Sequence, residues 1–364
     1  MMRIAQVMGY MNGGGVEAVV MNYYRHIDRS KVQFDFLVCE GSEMVPYEEI
    51  ESLGGRVFVV PSYSDVIGYQ RRLISLFREQ KWSIVHSHVN TLSVFPLRAA
   101  KRAGVAVRIA HSHSTAGRGE YVKNIMKYTL RLFANAYPTH RLACSRCAGE
   151  WLFGKHADFC VLPNAVDVAS FAPDAATRSR TRAELGISSD QLLVGHIGRF
   201  AEQKNHSKLL EVFCAVLELR PDAVLVLAGE GPLLEQTRLL STKLGISDSV
   251  FFLGPRDDVP SLYQAFDVFC LPSLYEGLPV VGVECQASGT PILASDQVTR
   301  ETAMTSLMEF ESLSSSPETW ASHLLAMCGK TLSSEDAEKL FSFDISACAC
   351  DLEGLYERCL KEVK

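Results

Sequence analysis

The sequence lacks several features that would assign it to a familiar class of protein. No apolar run approaches the roughly 20 residues that a helix needs to cross a bilayer. The N-terminus, MMRIAQVMGYMNGGG, carries one early charge and alternates like a strand, which is not typical of a signal peptide. Neither GGGVEA at 13–18 nor AGEGPL at 228–233 has the glycine spacing of a dinucleotide-binding fingerprint, so NAD is not favoured.

Metal-binding patterns are scarce as well. The 11 cysteines are odd in number and spread through predicted core segments, which is typical of buried thiols in a reducing cytosol. Cys144 and Cys147 form a Cys-x-x-Cys pair, but no second Cys/His pair stands at zinc spacing, so we interpret the pair as structural. The chain has no Asp-x-Asp pair that would clamp a metal on a diphosphate. We therefore expect a cytoplasmic protein without a metal or another cofactor.

Length and charge indicate two domains. A chain of 364 residues is long for one hydrophobic core. Residues 1–170 carry 20 lysines and arginines against 14 acidic residues, whereas residues 171–364 carry 16 against 28. We expect the basic half to face an anionic partner.

Both halves repeat a short β-branched run, a turn and an amphipathic helix, as in RIAQVMG followed by VEAVVMNYYRHI. Strands that alternate with helices in this way predict an α/β fold with parallel sheets. The polar stretch near Val168–Asp190 lacks strand character and is taken as the boundary. We predict an N-terminal domain over residues 1–170 and a C-terminal domain over residues 190–340. A last helix, over about 345–364, is predicted to pack back on the first domain.

A glycine turn follows the first predicted strand. Gly13, Gly14 and Gly15 leave backbone N–H groups free at the start of the next helix, which is an arrangement that binds anions. A plain strand-to-helix turn explains the same residues, and both interpretations stay open.

Two cations follow the first strand of the second half. In GRFAEQKN, Arg199 and Lys204 stand in the loop at the carboxyl end of LLVGHIGR, where ligands collect in open α/β sheets. A guanidinium and an ammonium group together offset two phosphate charges. The alternative is a pair of solvated surface cations.

Two glutamates stand about seventy residues further on. In SLYEGLPVVGVEC, Glu276 precedes a turn that contains Gly277 and Pro279, and Glu284 is predicted nearly two turns inside the following helix. Each carboxylate can accept hydrogen bonds from hydroxyls of one ligand. The alternative is a surface glutamate beside one that the helix dipole stabilises. A glycosidase would use paired carboxylates too, but it does not need Arg199 and Lys204.

Four histidines end two predicted strands of the first half. His86 and His88 stand two apart, as do His111 and His113, so each pair points to one side of the pleat. Polar positioning at a cleft is the favoured interpretation. A zinc site lacks an accompanying Cys or carboxylate, and an ordinary structural role remains an alternative for each histidine.

One predicted helix, YVKNIMKYTLRLFANAY, is basic and amphipathic. Lys123, Lys127 and Arg131 recur every four residues and form a stripe beside apolar side chains such as Ile125 and Met126. Such a helix binds an anionic membrane surface, or it is simply a solvated helix face. Nucleic acid is not favoured, because no RNA- or DNA-binding motif accompanies the stripe.

Several motifs, in this order, resemble those of the family 4 retaining glycosyltransferases. They are HSHVN, RIAHSHS, LPNAVD, GRFAEQKN, AGEGP and the stretch FFLGPRDDVPSLYQAFDVFCLPSLYEGLPVVGVECQASGTPIL. The two histidine motifs are most similar to the branch that makes bacterial exopolysaccharide and capsule. The resemblance implies a GT-B architecture, in which two Rossmann-like domains face each other across a cleft.

In the second domain, the resemblance implies a complete set of donor contacts. Arg199 and Lys204 would hold the diphosphate, and Glu284 would accept from the ribose hydroxyls. Glu276 would contact the donor sugar, with the backbone of Gly277 and Leu278 nearby.

In the first domain, the resemblance implies that Gly14 and Gly15 close over the phosphate. His113 matches the histidine placed near the reacting sugar, and His111 is the alternative because the local alignment is ambiguous by two residues. The segment DQVTRETAM after Ser295 lacks the glycine-rich continuation usual in the family.

The resemblance predicts a retaining glycosyltransferase that needs no metal. It would move a sugar from a nucleotide-diphosphate donor, by family a UDP-sugar, to a hydroxyl of a saccharide or lipid-linked saccharide in cell-surface polysaccharide synthesis. Arg199 and Lys204 would stabilise the leaving group, Glu276 and His113 would act at the sugar, and work at the inner face of the membrane is expected. The alternatives are a nucleotide-sugar epimerase or hydrolase of the same fold and a non-catalytic binding subunit.

Overall fold

The structure, a computed structural model, describes residues 1–115 and 121–363, with the backbone alone for residues 121–123. The chain divides into two compact units. The first unit comprises Met1–Ala165 together with Ile345–Lys364, and the second comprises Val166–Asp344. The C-terminal segment therefore completes the first unit.

The described residues form two sets of strands. In the first unit they are β1 (Met2–Gly9), β2 (Val32–Cys39), β3 (Arg56–Val60), β4 (Ile84–Ser87), β5 (Val107–Ser112), β6 (His140–Ala143) and β7 (Cys160–Val161). In the second unit they are β8 (Leu193–Ile197), β9 (Val224–Ala228), β10 (Val250–Gly254), β11 (Val268–Leu271), β12 (Ile292–Ser295) and β13 (Met308–Glu311).

Helices alternate with these strands. Those of the described residues are α1 (Gly15–His26), α2 (Tyr47–Ser52), α3 (Val66–Gln80), α4 (Val94–Ala103), α5 (Tyr121–Arg131), α6 (Arg146–Phe153), α7 (Val168–Phe171), α8 (Ala175–Glu184), α9 (His206–Leu219), α10 (Leu234–Lys243), α11 (Val259–Ala265), α12 (Val280–Ala287), α13 (Pro317–Met327), α14 (Ser334–Leu340) and α15 (Ile345–Glu362).

The predicted α/β fold is confirmed. The first sheet has the order β3-β2-β1-β4-β5-β6-β7, and the second has the order β10-β9-β8-β11-β12-β13. Every strand pairing in the two sheets is parallel. The strand order reverses between β1 and β4 and again between β8 and β11. These are the switch points at which the loops after the strands leave room for a ligand.

Both faces of the second sheet are covered. Every residue of β9 is buried, and its side chains divide between two apolar clusters. Val224 and Val226 belong to one cluster, whereas Leu225 and Leu227 belong to the other, as the alternation of a pleated strand requires. A continuous apolar run such as AVLVLA therefore forms a central strand with helices on both sides.

The segment between the predicted domains folds with the second unit. Its helix α8 is capped by Asp174, whose carboxylate accepts from the backbone N–H of Thr177 at 2.9 Å. The buried Arg182 donates to the carbonyl oxygen of Ala265 at 2.9 Å and to the carboxylate of Asp267 at 3.2 Å. These long-range bonds attach a polar, strandless stretch to the sheet.

Helix α15 belongs to the first unit because one of its faces is buried there. Leu352, Tyr356 and Cys359 are buried, and the helix packs on α1. The carboxylate of Glu353 accepts from the backbone N–H of Asp28 at 2.7 Å. The last helix therefore brings a tyrosine to the interior of the first sheet.

Two glycines hold the loop after β8 in position. Between them, the backbone carbonyl oxygen of Glu230 accepts from the backbone N–H of Phe200 at 2.8 Å. Gly231 has a φ of +151°. A Cβ atom on Gly231 would lie 2.6 Å from the carbonyl oxygen of Phe200, and one on Gly229 would lie 2.2 Å from that of Gly198. The glycines of AGEGPL thus permit two backbone segments to touch, which is a role different from dinucleotide binding.

We expect Gly231→Ala to destabilise the protein by about 3 kcal/mol or more, because a methyl group there must displace backbone atoms and not a flexible side chain. Gly245→Ala is the matched control. It has a φ of +72° but open space around its Cβ position, so it should cost only about 1 kcal/mol. Urea unfolding of both variants measures the difference, and equal costs would contradict the close approach.

Candidate active site

The second unit collects polar residues at its switch point. The loop after β8 passes through a short 3-10 turn, Glu202–Lys204, and Asn205 adopts a left-handed φ of 54° before α9 begins at His206. The loop after β11 runs beside it. The backbone N–H of Leu274 donates to the carbonyl oxygen of Gln203 at 2.8 Å. The two predicted motifs are therefore joined through their backbones.

A salt bridge connects the two loops. Lys204 Nζ lies 2.7 Å from Glu276 Oε1, and both side chains are largely buried. The same carboxylate accepts from Gln203 Nε2 at 2.9 Å and from Ser273 Oγ at 3.0 Å. The sequence assigned Lys204 and Glu276 to different parts of a ligand, and the structure pairs them with each other.

Arg199 stands apart from this network. Its side chain is exposed, and no hydrogen bond or ion pair to it occurs among the described residues. The guanidinium group is therefore available to an anion at the mouth of the loop.

Glu284 lies on α12 and faces the interior. The helix begins at Val280, directly after Pro279, so Glu284 is one turn into it and not nearly two turns as the sequence predicted. The hydroxyl of Tyr263 donates to Glu284 Oε2 at 3.0 Å. Burial raises the pKa of Glu284 to about 7, although the Tyr263 hydrogen bond and the Lys204 charge act in the opposite direction. Gly277 and Leu278 are buried in the stretch that leads to this helix.

Two further histidines lie next to the loop that carries Arg199 and Lys204, and the sequence analysis did not single them out. His206 stacks on Phe200 with ring centroids 4.2 Å apart, and His196 meets its edge at 4.9 Å. Burial, together with the nearby charge of Lys204, lowers the pKa of His206 to about 4. The loop therefore rests on neutral aromatic rings, and only the position of His196 in a strand could have indicated this.

The four predicted histidines of the first unit do come together. His86 and His111 lie in the neighbouring strands β4 and β5, and His88 and His113 directly follow those strands. All four are buried, and the ring centroids of His86 and His88 are 4.2 Å apart. Each pair does lie on one side of the pleat, as the spacing predicted.

These histidines are neutral and mutually hydrogen-bonded. His88 Nδ1 lies 2.9 Å from His113 Nε2, and His86 Nε2 lies 3.2 Å from His111 Nδ1. Burial holds the pKa of His86, His88 and His111 well below the ordinary value and lowers the pKa of His113 to about 3. Gln6 and Tyr356 complete the network, and no sequence pattern indicated either of them.

Three of these histidines are close enough together to be considered as metal ligands. Donor atoms of His86, His88 and His111 lie within 4.8 Å of one another. However, both ring nitrogens of His86 and His88 and Nδ1 of His111 already face hydrogen-bond partners, and no carboxylate is among these ligands to offset a buried double charge.

The glycine turn forms as predicted and leads into α1. The amide of Gly14, however, and that of Asn12 just before the turn already have an anionic partner. Gly14 N–H donates to Glu17 Oε2 at 2.6 Å, and Asn12 N–H donates to Glu17 Oε1 at 3.1 Å. Gly15 is the first residue of the helix, with open space around its Cβ position. Glu17 thus occupies part of the predicted anion site.

Helix α5 exposes apolar side chains beside half-buried basic ones. The exposed fractions of Ile125 and of Leu132, which directly follows the helix, are 68% and 82%, and Lys127 and Arg131 are half-buried. Arg131 lies over the ring of Trp151 at 5.6 Å. The side chain of Lys123 lies outside the described residues. No helix in the part of the chain that the structure describes is long and apolar enough to cross a membrane.

Comparisons with known proteins identify the family of the chain. The family model Glycosyltransferase Family 4 matches residues 13–170, and Glycosyl transferases group 1 matches residues 177–303. EpsF of Bacillus subtilis (strain 168), named as a glycosyltransferase, is 39% identical over 329 residues, which are 88% of this chain and 86% of EpsF. The UDP-Gal:alpha-D-GlcNAc-diphosphoundecaprenol alpha-1,3-galactosyltransferase of Escherichia coli is 31% identical over 301 residues, 78% of this chain and 76% of that protein.

A solved structure shows the same fold. HepE of Anabaena, crystallised with UDP-glucose, superposes with a TM-score of 0.81 at 17% identity, over 98% of this chain and 100% of that one. Together with the two family models and the long alignment to EpsF, this similarity establishes the relationship. The chain belongs to glycosyltransferase family 4 and is a glycosyltransferase with two Rossmann-like units of the GT-B class.

Proposed function

We propose that this glycosyltransferase moves a sugar from a UDP-sugar donor, with retention of anomeric configuration, to a hydroxyl of a saccharide or lipid-linked saccharide in cell-surface polysaccharide synthesis. The observation that carries the proposal is the 2.7 Å pairing of Lys204 with Glu276 at the switch point of the second sheet. The pairing supports the proposal because recognition of a sugar diphosphate needs a cation for the phosphate and a carboxylate for the hydroxyls in one place.

Two relatives support the choice of donor and acceptor. The Escherichia coli enzyme is named for a UDP-Gal donor and a diphosphoundecaprenol-linked acceptor. HepE was crystallised with UDP-glucose. A UDP-sugar and a lipid-linked saccharide are therefore the first substrates to test.

The proposed chemistry is electrostatic. Arg199, Lys204 and the N-terminus of α9 stabilise the leaving diphosphate, because fixed positive groups at a developing negative charge lower the barrier. The acceptor hydroxyl attacks from the face of the leaving group, and an oxygen of the β-phosphate takes its proton. No enzymic nucleophile is needed, and charge neutralisation by a metal is not proposed because the sequence has no Asp-x-Asp pair.

The buried salt bridge orders both of its side chains before the donor binds. Lys204 and Glu276 are held by a network in which each carboxylate oxygen has a donor, so neither side chain must be ordered when the donor binds. We assign Glu276, with the backbone of Gly277 and Leu278, to the donor sugar. Glu284 is assigned to the ribose hydroxyls.

In the first unit, His113 is the proposed contact to the reacting sugar, with His111 as the alternative. Gly14 and Gly15 are proposed to bind phosphate. At Gly14 the ligand would compete with the carboxylate of Glu17, whereas Gly15 has open space around its Cβ position.

Helix α5 is the proposed contact to an anionic membrane that carries a lipid-linked acceptor. Lys127 and Arg131 supply positive charge beside the exposed side chains of Ile125, Met126 and Leu132. A basic face next to exposed apolar groups suits the boundary between headgroups and acyl chains. By its spacing, Lys123 would extend the same stripe.

We expect Lys204→Ala to lower turnover of UDP-glucose about a hundredfold or more, since it removes a charge that stabilises the leaving group. Glu284→Ala should weaken binding of the donor about tenfold, because the ribose loses a hydrogen-bond acceptor. Steady-state kinetics and calorimetry measure the two effects.

The controls are Lys243→Ala and Glu211→Gln, which alter exposed residues on α10 and α9 of the same unit. Lys204→Ala leaves a carboxylate buried without its cation, so binding is scored as the rise in Tm that UDP-glucose causes relative to each variant's own Tm. Full donor turnover by Lys204→Ala would refute the assignment.

A donor-only incubation separates the transferase from its alternatives. A transferase should consume UDP-glucose slowly until a saccharide acceptor is added, whereas an epimerase or hydrolase consumes it at once. Tight binding without turnover under any acceptor would indicate a binding subunit.

Donor affinity should rise about tenfold from about pH 6 to about pH 8, because the ribose hydroxyls bind the ionised form of Glu284. The pKa of Glu284 is raised to about 7, so the carboxyl group must lose a proton to bind over much of this range. The diphosphate of UDP-glucose stays fully ionised and adds no pH dependence. Calorimetry should find flat affinity for Glu284→Gln and the full rise for Glu211→Gln.

Replacing both Lys127 and Arg131 by Glu should abolish most binding to vesicles of anionic lipid. Each basic residue lost should reduce the binding free energy by about 1 kcal/mol. Arg98 and Arg102 offer a matched control, since they have the same four-residue spacing and are exposed on α4. Vesicle sedimentation measures both double variants. Equal loss in both would mean that overall charge, and not the α5 surface, drives binding.

A further inference from the structure

A hydrogen-bonded network in the first unit extends from α15 to the proposed site histidines. Its first branch begins at Tyr356, whose hydroxyl oxygen lies 2.8 Å from His86 Nδ1. His86 Nε2 then lies 3.2 Å from His111 Nδ1. The branch joins the C-terminal helix to two adjacent strands at the switch point of the first sheet.

The second branch begins at the same hydroxyl group. Gln6 Nε2 lies 3.2 Å from the oxygen of Tyr356, and Gln6 Oε1 lies 2.8 Å from His88 Nε2. His88 Nδ1 lies 2.9 Å from His113 Nε2. Both branches are buried over their whole length.

The two branches end beside each other. His111 Nε2 and His113 Nδ1 are buried nitrogens without a hydrogen-bond partner among the described residues, and the centroids of the two rings lie 3.9 Å apart. Both rings line the same small cavity, together with His86 and His88. Two buried polar atoms that lack partners in adjacent rings indicate a ligand group.

Proton counting relates the two ends. A neutral imidazole has one N–H group and one lone pair, so the bond that one nitrogen makes decides what the other offers. Tyr356 has a single hydroxyl proton, and its hydrogen bonds among the described residues go to His86 and Gln6. All hydrogen bonds of one branch are therefore donated in the same direction along it. Because both branches share the single proton of Tyr356, the direction in one branch sets the direction in the other.

In the first arrangement, the amide group of Gln6 donates to Tyr356, and Tyr356 donates to His86. His86 must then donate to His111, which is left with a proton on Nε2. In the other branch, Gln6 accepts from His88 and His88 accepts from His113. Nδ1 of His113 is left with a lone pair.

In the second arrangement, the amide group of Gln6 is turned over and every bond reverses. His111 then presents a lone pair and His113 presents an N–H group. The two free nitrogens are opposite in both arrangements, so neither the amide assignment nor the choice of tautomer alters the result.

We propose that Tyr356 is a positioning residue of the glycosyltransferase site, which holds His111 and His113 in opposite proton states so that together they bind one hydroxyl group. The inference rests on the proposed role of His113 at the reacting sugar. It adds α15 and Gln6 to the site, and it names the chemistry that the histidine pair recognises.

A hydroxyl group matches this pair because it donates one hydrogen bond and accepts another. The same chemistry comes from a hydroxyl of the sugar or from a water molecule. A carboxylate or a phosphate oxygen only accepts, and an ammonium group only donates, so neither satisfies both nitrogens.

The test is ¹⁵N NMR of the histidine rings in the wild-type protein, in Tyr356→Phe and in Tyr24→Phe. Tyr24 is the matched control, because it is a buried tyrosine of the same unit whose hydroxyl bonds to Gln33 and Leu53 and to none of the histidines. In the wild type, His111 Nε2 and His113 Nδ1 should be opposite, one protonated and one not.

Tyr356→Phe should leave His111 and His113 as mixtures of both tautomers, since the two branches no longer share a proton, whereas Tyr24→Phe should match the wild type. Equal proton states at the two free nitrogens, or unchanged tautomers in Tyr356→Phe, would overturn the proposal. Zn²⁺ should leave the ring signals unchanged, and stoichiometric binding by these histidines would overturn it as well.

UDP-glucose distinguishes the sources of the hydroxyl group. A shift of the two free nitrogens on its addition assigns the group to the substrate, and opposite states without a shift assign it to water. In steady-state kinetics, kcat of Tyr356→Phe should fall about fivefold to tenfold with little change in KM, and Tyr24→Phe should keep the wild-type kcat.

Lost tautomer order with unchanged kcat would refute the positioning role. The NMR measurement needs no turnover, so it stays decisive if the wild type fails to transfer a sugar and the proposed function itself is wrong.

Discussion

Parallel pairing at two switch points is the constraint on which the rest of this structure depends. β1 pairs with both β2 and β4, and β8 pairs with both β9 and β11, so consecutive connections leave in opposite directions from each central strand. The loops that follow these strands cannot cover the gap between them. Residues that follow β4 and β5 in one sheet, and β8 and β11 in the other, consequently meet at a sheet edge.

The two units stabilise their polar residues by different means. In the second unit, the buried pair Lys204 and Glu276 is charged, and its desolvation is offset because Gln203 and Ser273 also bond to the carboxylate. In the first unit, burial keeps four histidines neutral, and hydrogen bonds among them replace the lost contacts with water. The histidine cluster of the first unit thus avoids a buried charge and suits recognition of an uncharged hydroxyl group.

Much of the site was predictable because each part lies in a local pattern. Apolar runs located the strands, and the residues directly after them, such as Arg199 and His113, were expected at the carboxyl edges. Errors arose where local patterns compete. Helix α12 begins at Val280, directly after Pro279, so Glu284 lies one turn into it and not nearly two. Local patterns also compete at the glycine turn, where the carboxylate of Glu17, a capping residue three positions after Gly14, accepts from the Gly14 N–H group; the phosphate contact there stays a prediction.

The sequence alone determined the alternation of strands and helices, the family and the identity of most candidate residues, because these depend on periodicity and on short motifs. The tertiary structure decided which side chains bond to each other. Lys204 and Glu276 stand 72 positions apart, and Gln6 and Tyr356 stand 350 apart. No local pattern encodes such pairings, since they arise only when parallel strands place distant loops, and a returning C-terminal helix, at one sheet edge.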